Sequence, residues 1–156
     1  MTLKAAAILW PTDFSEHAAA AAPYARALAE MFGARLHVVH VVDLPLTPDG
    51  TGMIPAEYPM ATFGPEYLDS AKVALERTVK EHFSGLSHVA SEAFMGNPWQ
   101  GVCDYAAKNG IDLVVITTHG RRGLSHLLMG STAERIVQHA PCPVLTVKPG
   151  ARGLLA

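Results

Sequence analysis

The residues whose types and spacing could do chemistry are concentrated between Thr117 and Thr132. The stretch reads Thr117-Thr118-His119-Gly120-Arg121-Arg122-Gly123-Leu124-Ser125-His126-Leu127-Leu128-Met129-Gly130-Ser131-Thr132, so Gly120 and Gly130 flank nine residues and Gly130 abuts a predicted helix. Glycine lets backbone come close to a ligand, and the free N–H groups of Ser131 and Thr132, at the positive end of that helix, favour an anion. Ser131 has two readings. Its hydroxyl donates to that anion, or it caps the helix together with Glu134 in a Ser131-Thr132-Ala133-Glu134 capping box.

Other reactive residue types carry less. The lysine-bearing phosphate loop GxxxxGK[ST] does not occur, and beyond Asp13 and His119 there is no positioned base for activating water. Of the eight histidines, His37 and His40 lie three apart on a predicted strand and so on opposite faces, and no HxH or HExxH pairing exists to hold a metal. Cys103 falls mid-helix and Cys142 between two prolines, and neither looks catalytic. Arg121 and Arg122 could meet an anion, although adjacent loop arginines are more often solvated.

The elements that must position these residues alternate. AAAILW (5–10) is a continuous apolar run, as expected of a strand covered on both faces, and ends at Pro11. Ser15 is the expected cap of an Ala-rich helix stopped by Gly33, with Pro23 implying a kink or a later true start. RLHVVHVV (35–42) is a second strand. Residues 43–64 hold prolines at 45, 48, 55 and 59 and glycines at 50, 52 and 64, which makes a long loop or lid. Its Met53, Met60 and Phe63 either cover a ligand or anchor the loop.

Pro65 opens a helix to about Phe83, with Leu68, Val73, Leu75, Val79 and Phe83 approximating one apolar face. His88–Phe94 is a weaker third strand. Asn97-Pro98-Trp99-Gln100 opens a third helix that stops at Asn109-Gly110. Asp112–Thr118 and Pro143–Val147 are the last two strands, with a helix from Ser131 to about His139 between them. Strand and helix alternation of this kind predicts a parallel sheet with right-handed crossovers and helices on both faces. In such sheets ligands bind beyond the carboxyl ends of strands where strand order reverses, which selects Pro11–Ser15, Val41–Asp43 and the segment after the fourth strand.

Composition narrows the classes. At 156 residues the chain is one domain's worth, and 49% hydrophobic against 17% charged residues excludes bulk disorder. The net charge of −2 and the absence of any basic block disfavour nucleic-acid binding. No apolar run of the roughly 18 residues a membrane span needs occurs, and the first apolar run ends at a Pro-Thr-Asp turn rather than a cleavage site. Two cysteines inside apolar segments fit a reducing compartment, so the expected address is the cytoplasm.

PTDFSEHA (11–18), LHVVHVVD (36–43), GNPWQGVCDYA (96–106) and THGRRGLSHLLMGSTAERIVQHAPCPVLTVKP (118–149) together resemble the universal stress protein family over nearly the whole chain. The resemblance implies a single domain over residues 1–149 followed by a tail, 150–156. It also implies an adenine nucleotide alpha-hydrolase-like fold, five parallel strands in order 3-2-1-4-5. Members that bind ATP carry Gly-x2-Gly-x9-Gly-Ser/Thr; here Gly120, the nine residues 121–129 and Gly130-Ser131 match, and Thr117 stands at the first glycine.

Carried over by position, the resemblance puts Pro11, Thr12 and Asp13 beside the adenosine and the Val41 backbone against adenine. Ile116 and Thr117 would line the ribose side, and Gly120, Gly130, Ser131 and Thr132 would hold the phosphates, with His119 beside them. Asp13 then accepts from ribose hydroxyls, or makes an Asx turn ahead of the first helix. Magnesium would arrive with the phosphates. The last strand would be an apolar sheet edge, and antiparallel pairing with its copy through residues 143–148 gives a twofold homodimer. The function expected is that of an ATP-binding stress-response or signalling module with at most slow hydrolysis and with unknown protein partners. The alternatives are a dimeric interaction module that binds no nucleotide, and a weak ATPase or self-phosphorylating protein.

Overall fold

The computed structural model describes residues 2–43, 65–118 and 129–150. The lid expected over 43–64, apart from Asp43, lies outside the described residues with its Met53, Met60 and Phe63; so do His119, Gly120, Arg121, Arg122 and the tail from 151. The elements are β1 (Ala7–Pro11), α1 (Glu16–Ala19), α2 (Ala22–Phe32), β2 (Arg35–Val42), α3 (Pro65–Phe83), β3 (Val89–Met95), α4 (Pro98–Lys108), β4 (Leu113–Thr117), α5 (Ser131–His139) and β5 (Val144–Val147). All strand pairs are parallel, in the order β3-β2-β1-β4-β5.

Period-two alternation divides the core between two faces. Ile8, Trp10, Leu36, Val38 and Val115 point toward α2 and α3 and pack with Ala25, Leu75 and Phe83. Leu9, Val39, Val41, Val114 and Ile116 point the other way, onto Val102 and Ala106 of α4 and Ala133 and Ile136 of α5. Burial on both faces explains the uninterrupted apolar runs. Asp112 ties the near edge of this layer together: its Oδ2 accepts from the Ala6 and Ala7 N–H groups at 2.6 and 3.0 Å.

Three expectations need adjusting. The Ala-rich stretch is two helices, because Pro23 lacks an N–H and is tolerated only in a first turn; the chain restarts at Ala22 and closes on Gly33 at φ +61°. β1 starts at Ala7, two residues into the apolar run, and takes in Pro11 as its last residue; the missing donor of Pro11 falls on the β4 side, beyond the Ile8–Leu113 and Leu9–Val114 pairs, and Thr12 N–H carries the pairing with β2 on to the Val39 carbonyl at 2.9 Å. Val73 is 58% exposed, since it lies two residues from both Ala71 and Leu75, which with Phe83 are the buried positions of α3.

Gly101 is where α4 meets the sheet. A Cβ there would stand 2.9 Å from Phe94 Cε2 and 3.2 Å from the Val41 methyls, so glycine lets the helix settle directly over the end of β2. Beside it, buried His37 bonds through Nδ1 to the Tyr105 hydroxyl at 3.0 Å, and Tyr105 stacks on Phe94. Burial, helped by Arg35, lowers the His37 pKa below its ordinary 6.5, and burial with Glu92 raises that of Tyr105. His37 is therefore neutral in the fold while the unfolded chain binds a proton below 6.5, so its contribution to stability is intact above that pH and is lost as pH falls through the window beneath it. Urea titrations of wild type and His37→Gln between pH 7.5 and 5 should show a shallower loss of stability with acid in the variant; parallel curves would refute the assignment.

Candidate functional site

A cleft of about 1040 Å³ opens at the carboxyl ends of β1, β2 and β4. After β1 the chain builds β2 and β3 on one side, and β4 and β5 then fall on the other, so the cleft sits where strand order reverses. Pro11, Thr12, Asp13, Val41, Ile116, Thr117, Gly130, Ser131 and Thr132 all line it. Of the residues named from sequence, His119 and Gly120 lie outside the described residues.

The loop after β1 is held from within and from the next strand. Thr12 Oγ1 accepts from Phe14 N–H at 3.0 Å, and Asp13 Oδ1 accepts from the Ser15 N–H and hydroxyl at 3.0 and 2.5 Å. Asp13 thus makes the Asx turn and still faces the cleft. Ser15 Oγ in turn accepts from Ala18 N–H, capping α1 as its sequence indicated. Phe14 adopts φ +64°, a conformation that bulky side chains rarely hold, and its ring stacks on His40 at 4.1 Å between centroids.

His40 does more than support that ring. Its Nδ1 lies 2.7 Å from the Thr12 carbonyl, which can only accept, so the proton is on Nδ1. Along β2 the Val39 carbonyl faces β1 and the Val42 carbonyl faces β3, where it meets Gly96 N–H at 3.0 Å. Val41 therefore turns its backbone toward β1, at the level where β1 has already ended. A continued parallel ladder would join Val41 N–H to the Thr12 carbonyl. The structure joins His40 to that carbonyl instead, and the backbone edge of Val41 is left facing the cleft.

On the opposite wall, Gly130 is the N-cap of α5, with φ −62° and ψ 145°, and no side chain caps the helix. The capping box expected of Ser131 and Glu134 is not formed. The chain enters the helix one residue earlier, Ser131 is the first helical residue, and the first intrahelical bond runs from Glu134 N–H to the Gly130 carbonyl at 2.9 Å. The N–H groups of the first turn are thereby left without intrahelical partners where Gly130, Ser131 and Thr132 line the cleft. Thr117 ends β4 in register with Val147, buried and with an ordinary negative φ, so the side chain at the first-glycine position brings no backbone strain.

Several lining residues were not singled out as site residues from sequence: His40, Asp43, Tyr67, Asn97, Trp99 and Arg135. Asn97 was read as a cap, and it is one, accepting from Gln100 N–H at 3.3 Å. A signal for Arg135 was present, four residues beyond Ser131 and so on the same helix face. Both thiols are held toward the protonated form: burial raises the Cys103 pKa, with Asp104 and Cys142 adding, and burial and Asp112 raise that of Cys142 against a lowering backbone hydrogen bond from Val114. Among the described residues no group of three His, Cys, Asp or Glu could hold a metal ion, and no helix is long and apolar enough to cross a membrane.

Comparison with known proteins agrees with this architecture. The chain is 35% identical over 146 residues to Universal stress protein MJ0531 of Methanocaldococcus jannaschii, covering 90% of this chain and 81% of that protein. Universal stress protein UspA from Lactobacillus plantarum superposes with a TM-score of 0.76 at 30% identity, covering 94% of this chain and 99% of that one. A universal stress protein solved in complex with cAMP shares the fold with a TM-score of 0.59 at 17% identity, over 93% and 98% of the two chains. Residues 6–148 match the sequence profile of the universal stress protein family, and with this strand order and cleft the chain belongs to that family.

Proposed function

We propose that the cleft binds an adenine nucleotide, ATP foremost, and that the protein is a cytoplasmic nucleotide-dependent stress-response module without dedicated catalysis. The observation that carries this reading is the polarity of the cleft. Its sheet end offers a hydroxyl-accepting carboxylate, Asp13, and the open backbone edge of Val41; its helix end offers the uncapped amides of α5. A nucleotide has the matching asymmetry, a neutral base and ribose at one end and anionic phosphates at the other. Val41 would read the base edge, Ile116 and Thr117 would line the ribose, and Gly130, Ser131 and Thr132 would hold phosphate, with magnesium carried by the phosphates. The related fold solved with cAMP holds an adenine nucleotide, and its likeness to this chain is one of fold.

Gly130→Asp separates binding from folding. Aspartate is a good N-cap, so the helix keeps or gains stability while a carboxylate occupies the anion site. Calorimetric titration should show micromolar ATP binding to wild type, abolished in Gly130→Asp at an unchanged or higher melting temperature. Absence of heat with wild type at millimolar ATP, and of adenine nucleotide released on denaturation, would reject the reading.

We further propose that β5 pairs antiparallel with its copy through residues 143–148 to form a homodimer. Val114 N–H bonds the Pro143 carbonyl and Thr118 N–H that of Val147, which sets the odd-numbered residues of β5 against β4. Val144 and Thr146 therefore turn their backbone groups to the open edge. Thr146→Pro removes one outward donor and leaves the β4 ladder whole, so light scattering should report a dimer for wild type and a monomer for the variant. A wild-type monomer would exclude the pairing.

A further inference from the structure

The helix-side wall of the cleft carries a cation that the nucleotide reading so far leaves unused. Arg135 of α5 lies over the Trp99 ring, its guanidinium carbon 5.4 Å from the ring centroid, and Trp99 also meets His139 at 5.1 Å. Arg135 and His139 are one turn apart on α5, so the two side chains clasp the indole that α4 presents. The described side chains of formal charge around the cleft are then Asp13 and Asp43 at the sheet end and Arg135 alone at the helix end. The salt bridges among the described residues, Arg26 with Glu30 and Lys72 with Asp69, do not involve it. A guanidinium held over a ring and engaged in no salt bridge among the described residues keeps N–H donors for another partner, and a guanidinium's donors match a phosphate in bidentate fashion.

Position decides which phosphate. Arg135 is one helical turn beyond Ser131, and helical side chains lean toward the N-terminus, so its head stands beside the first turn of α5 rather than at the end of the sheet. A phosphate next to the ribose would meet the amides of Ser131 and Thr132; only a longer phosphate chain extends past them along the wall. We propose that Arg135, seated on Trp99, grips the distal phosphates of a nucleoside polyphosphate and so selects polyphosphate over monophosphate in this cleft. The inference rests on the reading of the cleft as a nucleotide site.

The test is calorimetric titration of nucleotide-free protein with ATP, ADP and AMP in the presence of magnesium. Wild type should bind ATP more tightly than AMP. Arg135→Gln should weaken ATP by roughly tenfold, the scale of one charge-assisted hydrogen bond, and move AMP less than about twofold. Trp99→Leu should reproduce part of the ATP loss. The chain has two tryptophans and Trp10 is buried in the core, so the emission lost in Trp99→Leu belongs to the platform. That component should change when wild type takes ATP and stay unchanged with AMP. Equal losses for ATP and AMP in Arg135→Gln, or a wild type that binds all three alike, would overturn the role of Arg135 and leave the nucleotide site standing. No heat with any of the three would end both.

Discussion

The Thr12 carbonyl accepts from a side chain of the neighbouring strand rather than from that strand's backbone, and the arrangement of the cleft depends on that exchange. A parallel ladder left to itself continues as long as both strands do. Thr12, just past β1, still donates to the Val39 carbonyl, but His40 takes the acceptor that Val41 N–H would have used, so pairing between β1 and β2 stops short of Val41. The same imidazole lies under Phe14, whose left-handed backbone swings the loop away from the sheet. One histidine thus ends the pairing, fixes the loop and opens a strand edge. The strain at Phe14 is tolerable because the stacked ring and the Thr12 and Asp13 turns over-determine the loop.

Parallel strands give this local device its reach. Because every strand runs the same way, every crossover needs a helix on a face, and every loop that follows a strand falls at one edge of the sheet. Asp13, Val41, Thr117 and Gly130, scattered over more than a hundred residues, converge there without any contact having been selected between them in sequence. The helices bring the rest: α4 lies close over β2 through Gly101, and α5 packs on α4.

Much of this was legible in the chain. β2 and the span of α3 read directly, the first from a β-branched run between Gly33 and Asp43, the second from Pro65 and an apolar stripe ending at Phe83. Alternation gave the parallel sheet and its crossovers; the strand order came from resemblance, since periodicity says nothing about which strands are neighbours. The contacts of His40 were out of reach, because they need two strands in register and a residue at positive φ, neither of which leaves a mark on local spacing. Ser131 was misread as a possible cap for a definable reason. Any serine three residues ahead of a glutamate satisfies the capping pattern, while the direction from which the chain arrives decides which residue caps, and here it arrives extended at Gly130.

That choice of glycine has a thermodynamic corollary. Replacing a side-chain cap by glycine weakens a helix by only a few tenths of a kcal/mol, yet it leaves the first turn one partner short. An anion that met those amides would supply the missing partner, so α5, already formed in the empty cleft, would be firmer with the cleft occupied. The melting temperature of such a protein tracks the concentration of whatever occupies it, through a logarithm of ligand over dissociation constant. Four residues after α5 the chain enters β5, the edge strand of the sheet, so any such firming of the helix would fall next to that edge.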